Sequence, residues 1–154
     1  MKHLLLLFIL NFYCLVSYTN SKDLTRQNPI VKTIILKGVS GKHHFFEPRE
    51  IKFFTGNLYK LIIKNTSDSK HYFSSDSFSK AIFTRKIQIN INNKKLAEIK
   101  GLINEVEVWP NHEIEWWFVP VKTGYFDDLN CKVKDKKNNI THAKMGMKGV
   151  IIIE

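Results

Sequence analysis

The 154-residue sequence has few thiols, few acidic groups and no long apolar runs, and each shortage excludes something. Cysteine occurs twice, as Cys14 and Cys131. Cys14 lies in an N-terminal apolar stretch, so the rest of the chain holds a lone thiol. A lone thiol cannot close an internal disulfide, which excludes a disulfide-stapled scaffold. Acidic residues number 14 against 24 Lys and Arg, for a net charge of +10. The lysines are scattered and lack the aromatic interleaving that stacks on bases, so nucleic acid is not an expected partner. Acidic protein surfaces, or an anionic membrane surface, suit the charge better. No Ser-His-Asp or paired-carboxylate set sits in a context that supports hydrolysis, and the chain is not expected to be an enzyme. Internal repeats and low-complexity tracts are also missing, and there is little helical periodicity.

The longest apolar run, residues 4–18 (LLLLFILNFYCLVSY), falls short of the roughly 20 residues a membrane-spanning helix needs. After the basic start Met1-Lys2-His3 it matches the apolar region of a secretory signal. Residues 1–21 are therefore expected to be a signal peptide, with Thr19 and Ser21 before a cut near Lys22. The alternative is an uncleaved anchor that would keep the protein at a membrane. Asn11-Phe12-Tyr13 lacks the small residues that precede a lipid-modified cysteine. The expected location is the periplasm, and residues 22–154 are expected to form one monomeric domain.

Beyond the leader, the chain reads as short strands separated by turns. Val31–Lys37 and Ile51–Phe54 are apolar runs, and Leu58–Lys64 places Tyr59, Leu61 and Ile63 on one face with Lys60 and Lys64 on the other. Arg85–Ile91 and Glu105–Val108 alternate, as do Ile114, Trp116 and Phe118 among Glu113, Glu115 and Trp117. Asn90–Lys95 reads as a turn. Residues 72–104 are the least regular stretch, and Ser77–Lys86 is expected to be a short helix or an irregular excursion. The pattern predicts an all-β fold, an antiparallel Greek-key β-sandwich with one core.

Candidate functional residues gather near the C-terminus. Cys131, His142 and Met147 lie on one segment that runs into the apolar strand Val150–Ile153, and His71 comes after a polar turn far upstream. A thiolate, two imidazoles and a thioether are the donor set of a mononuclear copper electron-transfer site. Such a set holds a geometry intermediate between the preferences of Cu(I) and Cu(II), so little moves when the electron does. Gly146 and Gly149 flank Met147 and permit the tight turn. A lone buried cysteine is commonly a small apolar filler, and a lone loop histidine is commonly solvated; the combination points to a metal site.

These residues resemble the cupredoxin family of plastocyanin and pseudoazurin. The resemblance rests on His71, Cys131 and the ending His142-Ala-Lys-Met-Gly-Met147-Lys-Gly-Val-Ile-Ile-Ile, supported by Phe46-Glu-Pro48, Glu115-Trp-Trp-Phe118 and Gly124-Tyr125, and it covers residues 31–154. The stretch His71–Phe78 is similar to a subgroup of exported plastocyanin-like proteins. The resemblance implies one copper ion cycling between Cu(I) and Cu(II), with His71, Cys131 and His142 as equatorial ligands and Met147 as axial ligand. It implies transfer of single electrons between redox partners, here acidic-surfaced ones. A copper-binding or copper-delivery role on the same fold is the alternative.

Two features depart from the family pattern. Ten residues, Lys132 to Thr141, separate Cys131 from His142 where the family has two to four. Loop-closure entropy rises slowly with length, so the site is still expected to form, with the metal more exposed or the site less rigid. Leu129 stands where the family has an aromatic residue, and strict alternation would turn Asp127 inward with Tyr125 unless a bulge intervenes. Met145 is the rival to Met147 as axial ligand and is expected to be loop packing instead. His43 and His44 are adjacent on a strand, point to opposite faces, and are expected at the surface or an edge. His112 is expected to be solvated, Trp116 to be core, and Trp117 to face outward as a candidate partner contact.

Overall fold

A computed structural model of the chain describes residues 23–154. The expected signal peptide, residues 1–21, lies outside the described residues. A 3-10 turn at Leu24–Arg26 precedes eleven strands: β1 Ile30–Val39, β2 His43–Glu47, β3 Glu50–Phe53, β4 Tyr59–Asn65, β5 His71–Ser74, β6 Ile82–Ile91, β7 Lys94–Ile99, β8 Glu105–Val108, β9 Glu113–Pro120, β10 Gly124–Asn130 and β11 Lys148–Ile153. One sheet has the order β2-β1-β4-β9-β6-β7 and the other β3-β11-β10-β5-β8. The sandwich is as expected, but its sheets are mixed. β1 pairs parallel with β4, and β3 pairs parallel with β11, while the remaining pairs are antiparallel.

Alternation builds the core. In β4, Tyr59, Leu61, Ile63 and Asn65 point inward; in β9, Ile114, Trp116 and Phe118 do. They meet Phe73 from β5 and Phe53 from β3 in one aromatic cluster. Phe78 stands at its centre, with its ring 5.3–6.5 Å from those of Phe53, Phe73, Trp116, Phe118 and Phe126. The stretch expected as a short helix holds a single turn, α1 Asp76–Ser79, started by the Ser75 side chain accepting from the Phe78 N–H. Ile82 is already in β6, because pairing with β9 satisfies its backbone where a longer helix would leave that edge open. Asn92 and Asn93, both at positive φ, turn β6 into β7, as the Asn-rich sequence predicts.

The anticipated bulge occurs in β10, where Phe126 pairs with Ile151 but Leu129 pairs with Gly149. The extra residue resolves the alternation problem: Tyr125 and Asp127 face solvent, while Phe126, Leu129 and Cys131 are buried. Gly149 is needed here, since a Cβ would come within 2.9 Å of both the Arg49 carbonyl and the Leu129 side chain.

Candidate metal centre

Four segments converge at one end of the sandwich: the start of β2, the start of β5, the residue after β10, and the approach to β11. Asn65 at the end of β4 organises the turn before His71. Its amide donates to the carbonyls of Ser69 and Val108, and its Oδ1 accepts from the Ser67 N–H and hydroxyl. Ser67 Oγ then lies 2.7 Å from His71 Nε2. With its own proton on Asn65, this hydroxyl accepts the Nε2 proton, which leaves His71 Nδ1 as the lone pair turned into the site.

The structure brings His71, Cys131 and His142 together. His71 Nδ1 is 2.9 Å from His142 Nδ1, and Cys131 Sγ is 3.8 and 3.6 Å from those two nitrogens. All three side chains are buried. Donors about 2 Å from a common centre in a trigonal plane stand about 3.5 Å apart, so these separations suit a single ion. Met147 is also buried, its N–H bonded to the His142 carbonyl at 2.9 Å and its carbonyl accepting from the Cys131 N–H at 3.3 Å. Met145 is only partly buried, and its sulfur receives an Asn138 side-chain N–H at 3.7 Å. Gly146, at φ +109°, makes the turn between them.

Burial sets the protonation of the metal-free site. It pushes the Cys131 thiol up, against N–H donation from Tyr72 and Val133, and a bound cation would favour the thiolate by replacing its proton. Burial, with the neighbouring imidazoles, lowers His71 to about 3 and His142 to about 4. Both rings are therefore neutral and able to donate to a metal across the ordinary pH range. Below the unfolded value of 6.5, the unfolded chain binds protons that the fold refuses. Stability of the metal-free protein is expected to be full above about pH 6.5 and to fall on the order of 1 kcal/mol per pH unit for each histidine below it. Urea midpoints of the metal-free protein at pH 7 and pH 5 check this; equal midpoints would contradict it.

Two contributors escaped the sequence reading. His44 is not at the surface: it is 0 % exposed, whereas His43 faces solvent. The opposite-face argument holds, but the inward residue of the pair reaches the site, and His44, His71 and His142 each offer a nitrogen within 4.8 Å of the others. The available signal was that His44 shares a face with the core residue Phe46. Asp135, within the Lys- and Asn-rich loop, is buried beside His44, with its Oδ2 3.2 Å from His44 Nε2. That loop does not expose the site. It folds back through a Lys134–Thr141 bridge, and the Cys131, His142 and Met147 side chains around it are buried.

No family model matches the sequence, and no curated protein matches it. Solved structures do match its fold. A multicopper oxidase from Campylobacter jejuni aligns with a TM-score of 0.56 at 18 % identity, covering 82 % of this chain and 30 % of the oxidase. A Cu-containing nitrite reductase from Thermus scotoductus aligns with a TM-score of 0.58 at 14 % identity, covering 83 % of this chain and 32 % of the reductase. The copper nitrite reductase of Nitrosomonas europaea gives 0.56 at 9 % identity, covering 84 % and 51 %. The chain has the cupredoxin fold. The cupredoxin-fold chain thus spans a third to a half of these larger proteins, and at such identities the likeness extends to the fold alone. Its own donors supply the rest: Cys131, the histidine cluster and Met147 form an arrangement that fits a type 1 copper site.

Proposed function

We propose that this protein is a type 1 copper protein that carries single electrons between redox partners, with His71, Cys131 and His142 as equatorial ligands and Met147 as axial ligand to one copper ion. The observation that supports it most directly is the convergence of a buried thiol and two imidazole Nδ1 atoms within 3.8 Å of one another. Bound copper supplies a one-electron couple between Cu(I) and Cu(II). The chain supplies the rest. Ser67 fixes the His71 tautomer, the β10 bulge turns Cys131 inward, and the Tyr72 N–H donates to Cys131 Sγ at 3.3 Å, which steadies negative charge on sulfur. Burial of every donor keeps water out and favours a fixed geometry in both oxidation states. On this reading the protein is exported to the periplasm, acts as a monomer and is not itself an enzyme. Its net charge of +10 would steer it to acidic surfaces on its partners.

The purified protein loaded with Cu(II) is expected to turn intensely blue or green and to bleach and recover through cycles of mild reductant and oxidant. A colourless protein that holds Cu(I) tightly and does not recover would favour copper delivery instead. Met147→Leu is expected to keep the colour and shift the reduction potential. If Met145→Leu produces that shift, the axial assignment moves to Met145.

A further inference from the structure

His44 and Asp135 are buried ionisable side chains that the proposed ligand set does not use. The Asp135 carboxylate is fixed on both oxygens. Oδ1 accepts from the N–H groups of Lys137 and Asn138 at 2.9 and 3.2 Å, and Oδ2 accepts from the Gly41 N–H at 2.9 Å and lies 3.2 Å from His44 Nε2. Burial opposes ionisation of Asp135, but these donors outweigh it and hold the carboxyl well below the usual carboxylate range. His44 in turn lies flat on His142, with ring centroids 3.7 Å apart and planes 24° apart, and meets His71 edge-on at 5.1 Å. It also packs closely against Gly38, where a Cβ would come within 2.2 Å of His44 Nδ1.

This packing argues against His44 as a ligand, despite its closeness to the other two histidines. An imidazole donates in its own ring plane, and two rings stacked face to face cannot both aim at one ion. Moreover, Nε2 is engaged by Asp135, and Nδ1, which has no hydrogen-bond partner, lies against Gly38. His142 needs such support. Its Nε2 is buried with no hydrogen-bond partner, so nothing but packing holds the outer edge of that ring.

We propose that Asp135 and His44 form a clamp that keeps the His142 imidazole on the metal, so that the extra loop between Cys131 and His142 locks copper in. The inference rests on the copper reading above. Removing an outer partner of a metal-bound histidine commonly costs 10- to 100-fold in metal retention, and the clamp is expected to act in that range. The experiment measures transfer of Cu(I) from the loaded full-length protein to excess bathocuproine disulfonate. His44→Ala is expected to speed transfer at least about tenfold, whereas His44→Phe, which restores a flat ring against His142 but cannot bond Asp135, is expected to be clearly slower than His44→Ala and close to Asp135→Ala. Asp135→Ala is expected to accelerate transfer too, and the His44/Asp135 double alanine variant to be no faster than His44→Ala, because the two act as one unit.

Wild-type transfer rates in His44→Ala would overturn the clamp, as would His44→Phe being as fast as His44→Ala. A changed visible band in His44→Phe would make His44 a ligand and also overturn it. A metal-free readout separates this from the copper reading. Loss of the stacked ring in His44→Ala is expected to shift the NMR signals of the His142 ring protons, and unshifted signals would refute the stack. A colourless wild-type protein would defeat the copper reading and leave that test standing.

Discussion

Cys131→Ser is expected to abolish the visible colour of the copper-loaded protein while leaving the fold intact. The colour of a type 1 site comes from charge transfer between a thiolate and copper, and Cys131 is the one free cysteine among the described residues. Serine places a hydroxyl where the thiolate stood; it stays protonated at neutral pH and is a poor, hard donor for Cu(I). The imidazoles of His71 and His142 remain, so weak Cu(II) binding with a faint spectrum is the expected remnant of the site. The fold should tolerate the change, because the hydroxyl can still accept the Tyr72 N–H that now reaches Cys131 Sγ at 3.3 Å. Thermal melting of the metal-free variant checks that point, and absorption after Cu(II) addition checks the chemistry. An intense band surviving in Cys131→Ser would remove the thiolate from the mechanism.

Phe78→Ala is expected to cost about 3–5 kcal/mol of folding stability. The phenyl ring is fully buried and meets five other aromatic rings contributed by β3, β5, β9 and β10, so its loss leaves a cavity that no single neighbour can fill. Domains of this kind are stable by only about 5–15 kcal/mol, so such a loss would bring the metal-free protein near its unfolding threshold. Phe83, 54 % exposed on β6, is the matched control, and Phe83→Ala is expected to change stability by about 0.5 kcal/mol or less. Urea titrations of both variants at pH 7 make the comparison. Equal losses at the two positions would show that the aromatic cluster is not where the stability resides.

The two substitutions test different levels of the same design. The aromatic core determines whether two sheets close, and the closed end of the sandwich determines where the donors meet. His71 is the first residue of β5, whose register with β8 and β10 sets its reach, and Cys131 comes directly after β10 and its bulge. A one-residue slip in either strand would turn the donor to the other face. The site's geometry is thus as secure as the strand pairing beneath it.

Much of the sandwich was legible because a strand buried on one face repeats every two residues; β4 displays that period throughout, and β9 does as far as Phe118. The parallel pairings of β1 with β4 and of β3 with β11 were not legible, since partners far apart in sequence leave no local trace of direction. In the irregular middle, α1 was overestimated because a run of Ser, Phe and Lys suits a helix as well as a strand edge, and pairing with β9 decided between them.

At the candidate site the division is similar. The sequence by itself determined the donor types, the short His142–Met147 spacing and the strand after it, because ligands on one segment carry their chemistry and their distance together. Tertiary structure alone decided the role of the ten residues between Cys131 and His142. A stretch so rich in Lys and Asn reads as solvated, yet it buries Asp135, because N–H groups from Gly41, Lys137 and Asn138 converge on that carboxylate only once the chain has folded. His44 was decided in the same way. Alternation turned it inward, but the side chain it would lie against depended on His142, far along the chain, and no local pattern encodes that contact.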